Sequence, residues 1–321
     1  MIRRRAKSIF RNNDENKDLG FGSRVVQQSH ERFLNRDGTY NVSRTGLPFF
    51  RSLNIYHYLL TISWGAFFLL LVGFYFGVNI LFGFGYFLCG PEALHGSQAM
   101  TAGSRLLEDF FFSVQTLATI GYGGLSPTGL SANMLVTIQA LIGGLGFALA
   151  TGLVFARFSR PSAKIIFSEK AIIAPYRTMT AFEFRIVNAN SNELVDVYAT
   201  VSLSRLEEHH GKRVRRFYGL TLERDQVRFF PLHWVIVHPI DKNSPLNGIT
   251  LDELEKSDAE FLVLIAATDD TSSQTVHARS SYKHNELLWG AKFSDMFTSG
   301  SGEMGIDVRK LNKVEPASLE P

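Results

Sequence analysis

No aspartate, glutamate, lysine or arginine occurs between Ser52 and Pro91, and none between Phe110 and Ala156. Each stretch exceeds the roughly 20 apolar residues with which a helix crosses about 30 Å of hydrocarbon. A chain carrying both must fold partly in lipid, so a purely water-soluble globule is ruled out. The 27 phenylalanines supply ample apolar surface and rule out disorder over most of the length. One cysteine, Cys89, leaves no internal disulfide framework and no cysteine-rich metal site.

The flanks set the organisation. Residues 1–47 are polar and basic, with Arg3, Arg4, Arg5, Lys7 and Arg11 at the start. They lack the apolar core that a signal peptide places after its charges, and read as a cytoplasmic N-terminal tail. In residues 48–59, Phe49, Leu53 and Tyr56 recur at helical spacing while Arg51, Ser52 and Asn54 are polar. This is either a helix lying on the membrane surface or the frayed start of the first span. The transmembrane domain then covers residues 60–158, with spans at 61–88 and 130–157. Between them the apolar stretch Phe110–Ala118 is too short to cross, which makes residues 108–118 a re-entrant helix. Arg157, Arg160, Lys164 and Lys170 follow the second span, whereas the connecting loop holds only Arg105. The excess of basic residues puts both termini in the cytoplasm of a multi-pass protein of the cell (inner) membrane.

From residue 159 the composition changes. Runs such as Phe182–Val187, Val195–Leu203, Val227–Val237 and Glu260–Ala267 are rich in Val, Ile and Phe and are separated by turn clusters. They predict a cytoplasmic β-sandwich over residues 159–312, with a short helix after Thr250 and a frayed tail at 313–321.

The segment between the spans carries the chemistry. Thr116-Leu117-Ala118-Thr119-Ile120-Gly121-Tyr122-Gly123 follows the short apolar helix directly. A potassium ion leaves its water shell without loss only where a column of oxygens replaces it, and main-chain carbonyls of a narrow loop can do so. Aiming successive carbonyls one way needs backbone angles that glycine adopts freely, hence Gly121 and Gly123. Residues 119–123 are therefore the candidate K+ selectivity filter, with the Thr119 hydroxyl closing its inner end and Tyr122 bracing the loop against Phe110, Phe111 and Phe112. One chain offers one loop, and a closed ring implies a homotetramer.

The second span contains Gly143, Gly144, Gly146 and Gly152. Gly143 and Gly152 serve either close helix packing or a hinge. Phe155, just before the charges resume, is either a ring of a dewetting gate or a lipid-facing side chain. Arg157, Arg160 and Lys164 suit anionic phospholipid headgroups, and equally suit plain topology signalling.

On these residues the chain resembles the inward-rectifier potassium channel family, most closely its prokaryotic branch. The resemblance runs from about Gly38 to Met304. It includes the filter, Thr151–Pro161, His238–Leu246, Thr268–Thr271 with Gln274, Ala278–Tyr282 and Trp289–Phe293. It implies a tetrameric pore, an immunoglobulin-like cytoplasmic domain, a sliding interfacial helix, a gate at Phe155, and control by anionic lipids through Arg157, Arg160 and Lys164. It places an acid of the cytoplasmic vestibule at Asp196. Two departures stand out. The family's glutamate behind the filter is Gln115 here, with Gly124 after the filter, so its charged brace is missing or rebuilt. The cavity position that carries an acid in strong rectifiers is Phe147, which predicts weak rectification.

Other classes fare worse. A membrane-anchored binding module would have no use for the threonine-glycine loop. His209 and His210 sit in a polar turn, and neither His233 nor His238 has ligand-spaced partners. No phosphate loop, nucleophile elbow or carboxylate pair is present, so neither an enzyme nor an organic cofactor is expected. Arg213, Arg215 and Arg216 read as a solvated strand face, not a nucleic-acid site, at a net charge of only +3.

Overall fold

The computed structural model describes residues 31–42, 54–159, 164–190, 192–209, 211–230, 232–298 and 305–319. Arg160, His210, the first half of residues 48–59 and most of the N-terminal tail lie outside them. The chain divides into two units, residues 45–160 and a β-rich unit formed by 161–321 together with the segment before residue 45.

In the first unit, α1 (Ile55–Thr61) and α2 (Trp64–Leu88) are separate helices. The first span therefore starts three residues later than the hydropathy suggested. Ser63 breaks the run, its hydroxyl accepting from Ala66 N at 3.3 Å and so beginning a new helix. The re-entrant helix α3 is Ala102–Leu117, six residues longer at its start than the apolar stretch alone predicted. A capping box between Thr101 and Ser104 satisfies free amides there, and lets a polar turn precede the apolar one. The second span, α4, is Gly129–Phe158. Two-residue strands β1 (Leu94–His95) and β2 (Ser126–Pro127) pair before it.

The β-rich unit is two five-stranded sheets over one core. Its strands are β3 (Ile165–Phe167), β4 (Ala171–Tyr176), β5 (Met179–Asn188), β6 (Leu194–His209), β7 (Lys212–Leu220), β8 (Gln226–Phe229), β9 (His233–Ile240), β10 (Glu260–Asp269), β11 (Gln274–Lys283) and β12 (Leu287–Trp289). One sheet runs β11-β10-β6-β7 with β8 on β6, the other β12-β4-β5-β3 with β9 on β5. Phe182, Phe184 and Ile186 of β5 face Val201, Phe261 and Ile265 of the opposite sheet across this core, with Phe182 stacked on Phe261 at 4.4 Å. Helix α5 (Leu251–Lys256) starts at a Thr250–Glu253 capping box.

Both ends of the chain correct the sequence reading. Strand β13 (Ala291–Phe293) pairs with β14 (Val314–Pro316), and Leu319 packs on the main core, so residues 313–319 are structure and not a frayed tail. Met296 and Leu311 cover Val187 on the outer face of β5, which is why that strand is buried on both sides. At the other end Phe33 and Leu34 are buried with Phe217 and Leu262. Their amides donate to the two carboxylate oxygens of buried Glu260, at 3.0 and 3.2 Å. Arg32 reaches Ser281 and Glu286. Arg215 also departs from expectation. Its side chain is fully buried beneath the Phe33 ring and paired with Asp258 at 2.5 Å, so this position is not solvated although Arg213 is exposed.

Two outcomes follow from this unit. Glu260→Ala strips two charge-assisted acceptors, each worth about 1.5–3 kcal/mol; hydrogen exchange at Phe33 and Leu34 should accelerate sharply, with unchanged exchange contradicting the clasp. Glu183, half-buried beside Glu223 on the outer face of β5, has its carboxyl pushed up to about 7, first by desolvation. A raised carboxyl favours the folded state fully below its ordinary value of 4.5, and that contribution is lost as pH rises toward 7. Thermal unfolding should find Glu183→Gln more stable than the parent at pH about 8 and equal to it below about 4.5.

Candidate functional site

Helix α3 ends at Leu117, and the chain leaves it through two tightening bonds, Thr119 N to Thr116 O at 3.1 Å and Ile120 N to Gln115 O at 2.8 Å. Three alternate residues beyond are left-handed: Thr119 at φ 56°, Gly121 at 57° and Gly123 at 81°. Ile120 and Tyr122 between them are not. Alternation of left-handed with other backbone is a pattern that can turn successive peptide planes the same way. Two of the three left-handed positions are glycines, which take that conformation without strain. Thr119 is the exception, held by its bond back to the helix end.

The outer end of the loop is fixed as well. A Cβ at Gly96 would collide with Gly124 O, so the loop after Gly123 is seated against the β1 turn. Thr128 N donates to Ala93 O at 2.8 Å just before α4 begins. Tyr122 is 78% exposed in the single chain and so is not braced by the chain's own Phe110–Phe112. Among the described residues no three His, Cys, Asp or Glu side chains cluster as a metal site. The oxygens this loop concentrates belong to the main chain.

On α4 the candidate residues behave differently from one another. Gly143 is a close-approach position: a Cβ there would stand 2.6 Å from Leu117 O, so packing accounts for it. Gly152 has open space around it. Phe147 and Phe155 are 78% and 72% exposed.

Arg157 does not reach out from the helix end. It donates to Leu59 O and, at 2.7 Å, to Ile62 O, and its guanidinium lies over the rings of Trp64 and Phe67 at 4.5 and 4.6 Å. It therefore supplies donors to the carbonyls that end α1, where a cation is also favoured by the helix dipole. Lys164 is exposed just before β3. Asp196 sits in a bulge of β6, with φ 48° and its carboxylate accepting from Gln226 Nε2 at 3.2 Å. Bulges of this sort re-aim one side chain out of the strand's alternation. Asn79, Ser113 and Gln139 were passed over in the sequence although neutral polar residues inside apolar helices signal interhelical bonds. All three are fully buried.

Similarity to known proteins reaches both units of the chain. The family model "Inward rectifier potassium channel C-terminal domain" matches residues 165–320, and "Ion channel" matches residues 74–160. The inward rectifier potassium channel Kirbac3.1 of Paramagnetospirillum magnetotacticum is 40% identical over 286 residues, covering 88% of this chain and 95% of that protein. Inward rectifier potassium channel 4 of Rattus norvegicus is 27% identical over 72% of this chain and 56% of its own length. Inward rectifier potassium channel 18 of Homo sapiens is 28% identical over 66% of this chain and 51% of its own length.

The role of Arg157 is open to a direct check. Arg157→Met keeps the apolar stem over Trp64 and removes both donors. Two carbonyls then lose charged partners, at a cost of about 1–3 kcal/mol. Amide exchange over residues 58–63 should rise in the variant, and Arg157→Lys should restore part of the protection. Equal protection in all three proteins would contradict the link.

Proposed function

Because the chain belongs to the inward rectifier potassium channel family, we propose that residues Thr119, Ile120, Gly121, Tyr122 and Gly123 are the filter through which it passes K+. The protein is a membrane potassium channel and not an enzyme. The observation that carries the site assignment is the alternation of left-handed backbone at 119, 121 and 123. A column of like-directed carbonyls replaces the hydration shell of a potassium ion, and this loop offers such a column without any charged side chain.

The working assembly is a homotetramer. A single chain leaves Ile120 and Tyr122 exposed, together with much of α2 and α4, and four copies about one axis would cover the filter side while lipid covers the rest. Tyr122 then packs on a neighbouring copy. Phe155 closes the path as a ring of four apolar side chains, with Gly152 as the hinge above it and Gly143 held in packing. Phe147 faces the cavity, and the lack of an acid there gives weak rectification, read as shallow block by internal polyamines.

The β-rich unit is cytoplasmic and immunoglobulin-like in this reading. It comprises residues 161–321 and the segment before residue 45, with Asp196 on the vestibule wall, and both termini face the cytoplasm of the cell membrane. Anionic phospholipids bind at Arg160 and Lys164. Arg157 takes part through α1, whose position on the bilayer surface it would hold. K+ is the conducted ion, and neither an organic cofactor nor nucleic acid has a part.

Reconstitution into liposomes tests this. The purified protein should pass potassium about 100-fold or more over sodium and be blocked by barium, since discrimination by a carbonyl column amounts to a few kcal/mol. Gly121→Ala should abolish conduction or selectivity, whereas Phe155→Ala should raise open probability at unchanged selectivity. Equal passage of sodium, or a stoichiometry other than four by native mass spectrometry, would overturn the reading.

A further inference from the structure

Four polar side chains are completely buried between the three membrane helices: Asn79 and Tyr86 of α2, Ser113 of α3 and Gln139 of α4. They form one continuous run of hydrogen bonds. Tyr86 OH donates to Gln139 Oε1 at 2.6 Å. Gln139 Nε2 donates to Ser113 Oγ at 2.6 Å and to Ser113 O at 2.9 Å. Ser113 Oγ donates in turn to Asn79 Oδ1 at 2.9 Å, and Asn79 Nδ2 donates to Tyr75 O at 2.9 Å. The run starts and ends on α2 and passes through both α4 and α3.

Each donor in it points the same way round, so every bond polarises the next. Hydrocarbon offers no water to replace a broken link. Steric contact accompanies it at one turn's remove. A Cβ at Gly83, four residues after Asn79, would lie 2.9 Å from Phe110 Cα, and one at Gly143, four residues after Gln139, would lie 2.6 Å from Leu117 O. Small residues allow the helices to approach, but smooth surfaces slide. Directional bonds on Ser113 fix the height and rotation of α3, and Ser113 lies one turn before the residue where α3 gives way to the filter. Gln115 offers the loop its carbonyl and carries no charge with which to brace it.

We propose that the run Tyr86–Gln139–Ser113–Asn79 is the brace that sets α3, and through it the filter oxygens, so that Ser113 and Gln139 are positioning residues for ion selection. The brace lies wholly within one chain and needs no ion pair. This rests on the assignment of residues 119–123 as the filter.

The test uses full-length channel in liposomes, with sodium-to-potassium permeability ratio and barium affinity as readouts and size exclusion as the check on assembly. Gln139→Leu removes three bonds. It should raise the permeability ratio about tenfold and weaken barium block, as the loss of a buried partner at the filter's support implies. Ser113→Ala should move both readouts the same way, and the double variant should be no worse than Gln139→Leu alone, because the two act as one unit. Tyr86→Phe loses a bond of the same run but keeps both contacts from Gln139 to α3, and should change the ratio by less than about twofold. If Gln139→Leu does not assemble, Ser113→Ala, the smaller change, decides. Assembled variants that lose only thermal stability, with parental ratio and barium affinity, would overturn the proposal and leave plain packing. Sodium rejection intact in Gly121→Ala would overturn the filter assignment and the proposal with it.

Discussion

Helix α3 sits between the two spans at distances that admit no side chain at Gly83 or Gly143. The rest of the membrane unit depends on that enclosure. Between Leu117 and Gly129 the backbone is neither helical nor, beyond β2, paired as strand. Non-helical backbone survives at membrane depth only where protein surrounds it or where it lines a wet path. Two ends therefore have to be held. The inner end hangs from α3 through Gln115 and Thr116, and the outer end is seated on the β1 turn at Gly96. Only then can the segment between them keep its alternating backbone.

The β-rich unit meets a different constraint, the burial of charge. Glu260 is completely buried on β10 yet has two main-chain amides on its two oxygens. Arg215 is equally enclosed, with Asp258 against it, and Lys283 joins the same carboxylate at 2.8 Å. An isolated buried charge costs several kcal/mol, and each of these is matched instead. The matching partners come from distant stretches of chain: 33–34, 258 and 283. Their meeting is what turns a polar N-terminal segment into part of the folded unit.

Much of this architecture was readable in the amino-acid sequence, for a physical reason in each case. Spans announce themselves because lipid tolerates so few charges, and the turn of the loop after α3 because left-handed positions favour glycine at 121 and 123. Strands β5, β6 and β10 showed as β-branched and aromatic runs. What escaped was set by contacts between remote residues. Nothing local in Arg213–Arg216 says that Arg215 turns inward; Asp258 and Phe33 decide it. The start of α3 escaped because a capping box of Thr101 and Ser104 outweighs the polarity of the turn it begins. Strand β14 escaped because its pairing partner, β13, is short and lies some twenty residues back. By sequence Arg157 suits lipid headgroups or topology signalling alike, whereas in the fold its donors go to carbonyls of α1 and its guanidinium lies over two aromatic rings.

That last contrast separates two ways of using a polar group in a membrane protein. Arg157 sits at the end of α4, where its charged head can terminate a neighbouring helix while its stem lies on Trp64 and Phe67. Gln139 sits far within the same helix, where a charge would be expensive and a neutral amide serves as both donor and acceptor. Each joins helices that are distant in sequence, and neither relies on another copy of the chain. The loop at 119–123 is the reverse. Tyr122 and Ile120 remain exposed, and among the described residues no main-chain amide donates to the Gly121 carbonyl between them. One chain thus settles, with its own side chains, where α3 stands against α2 and α4.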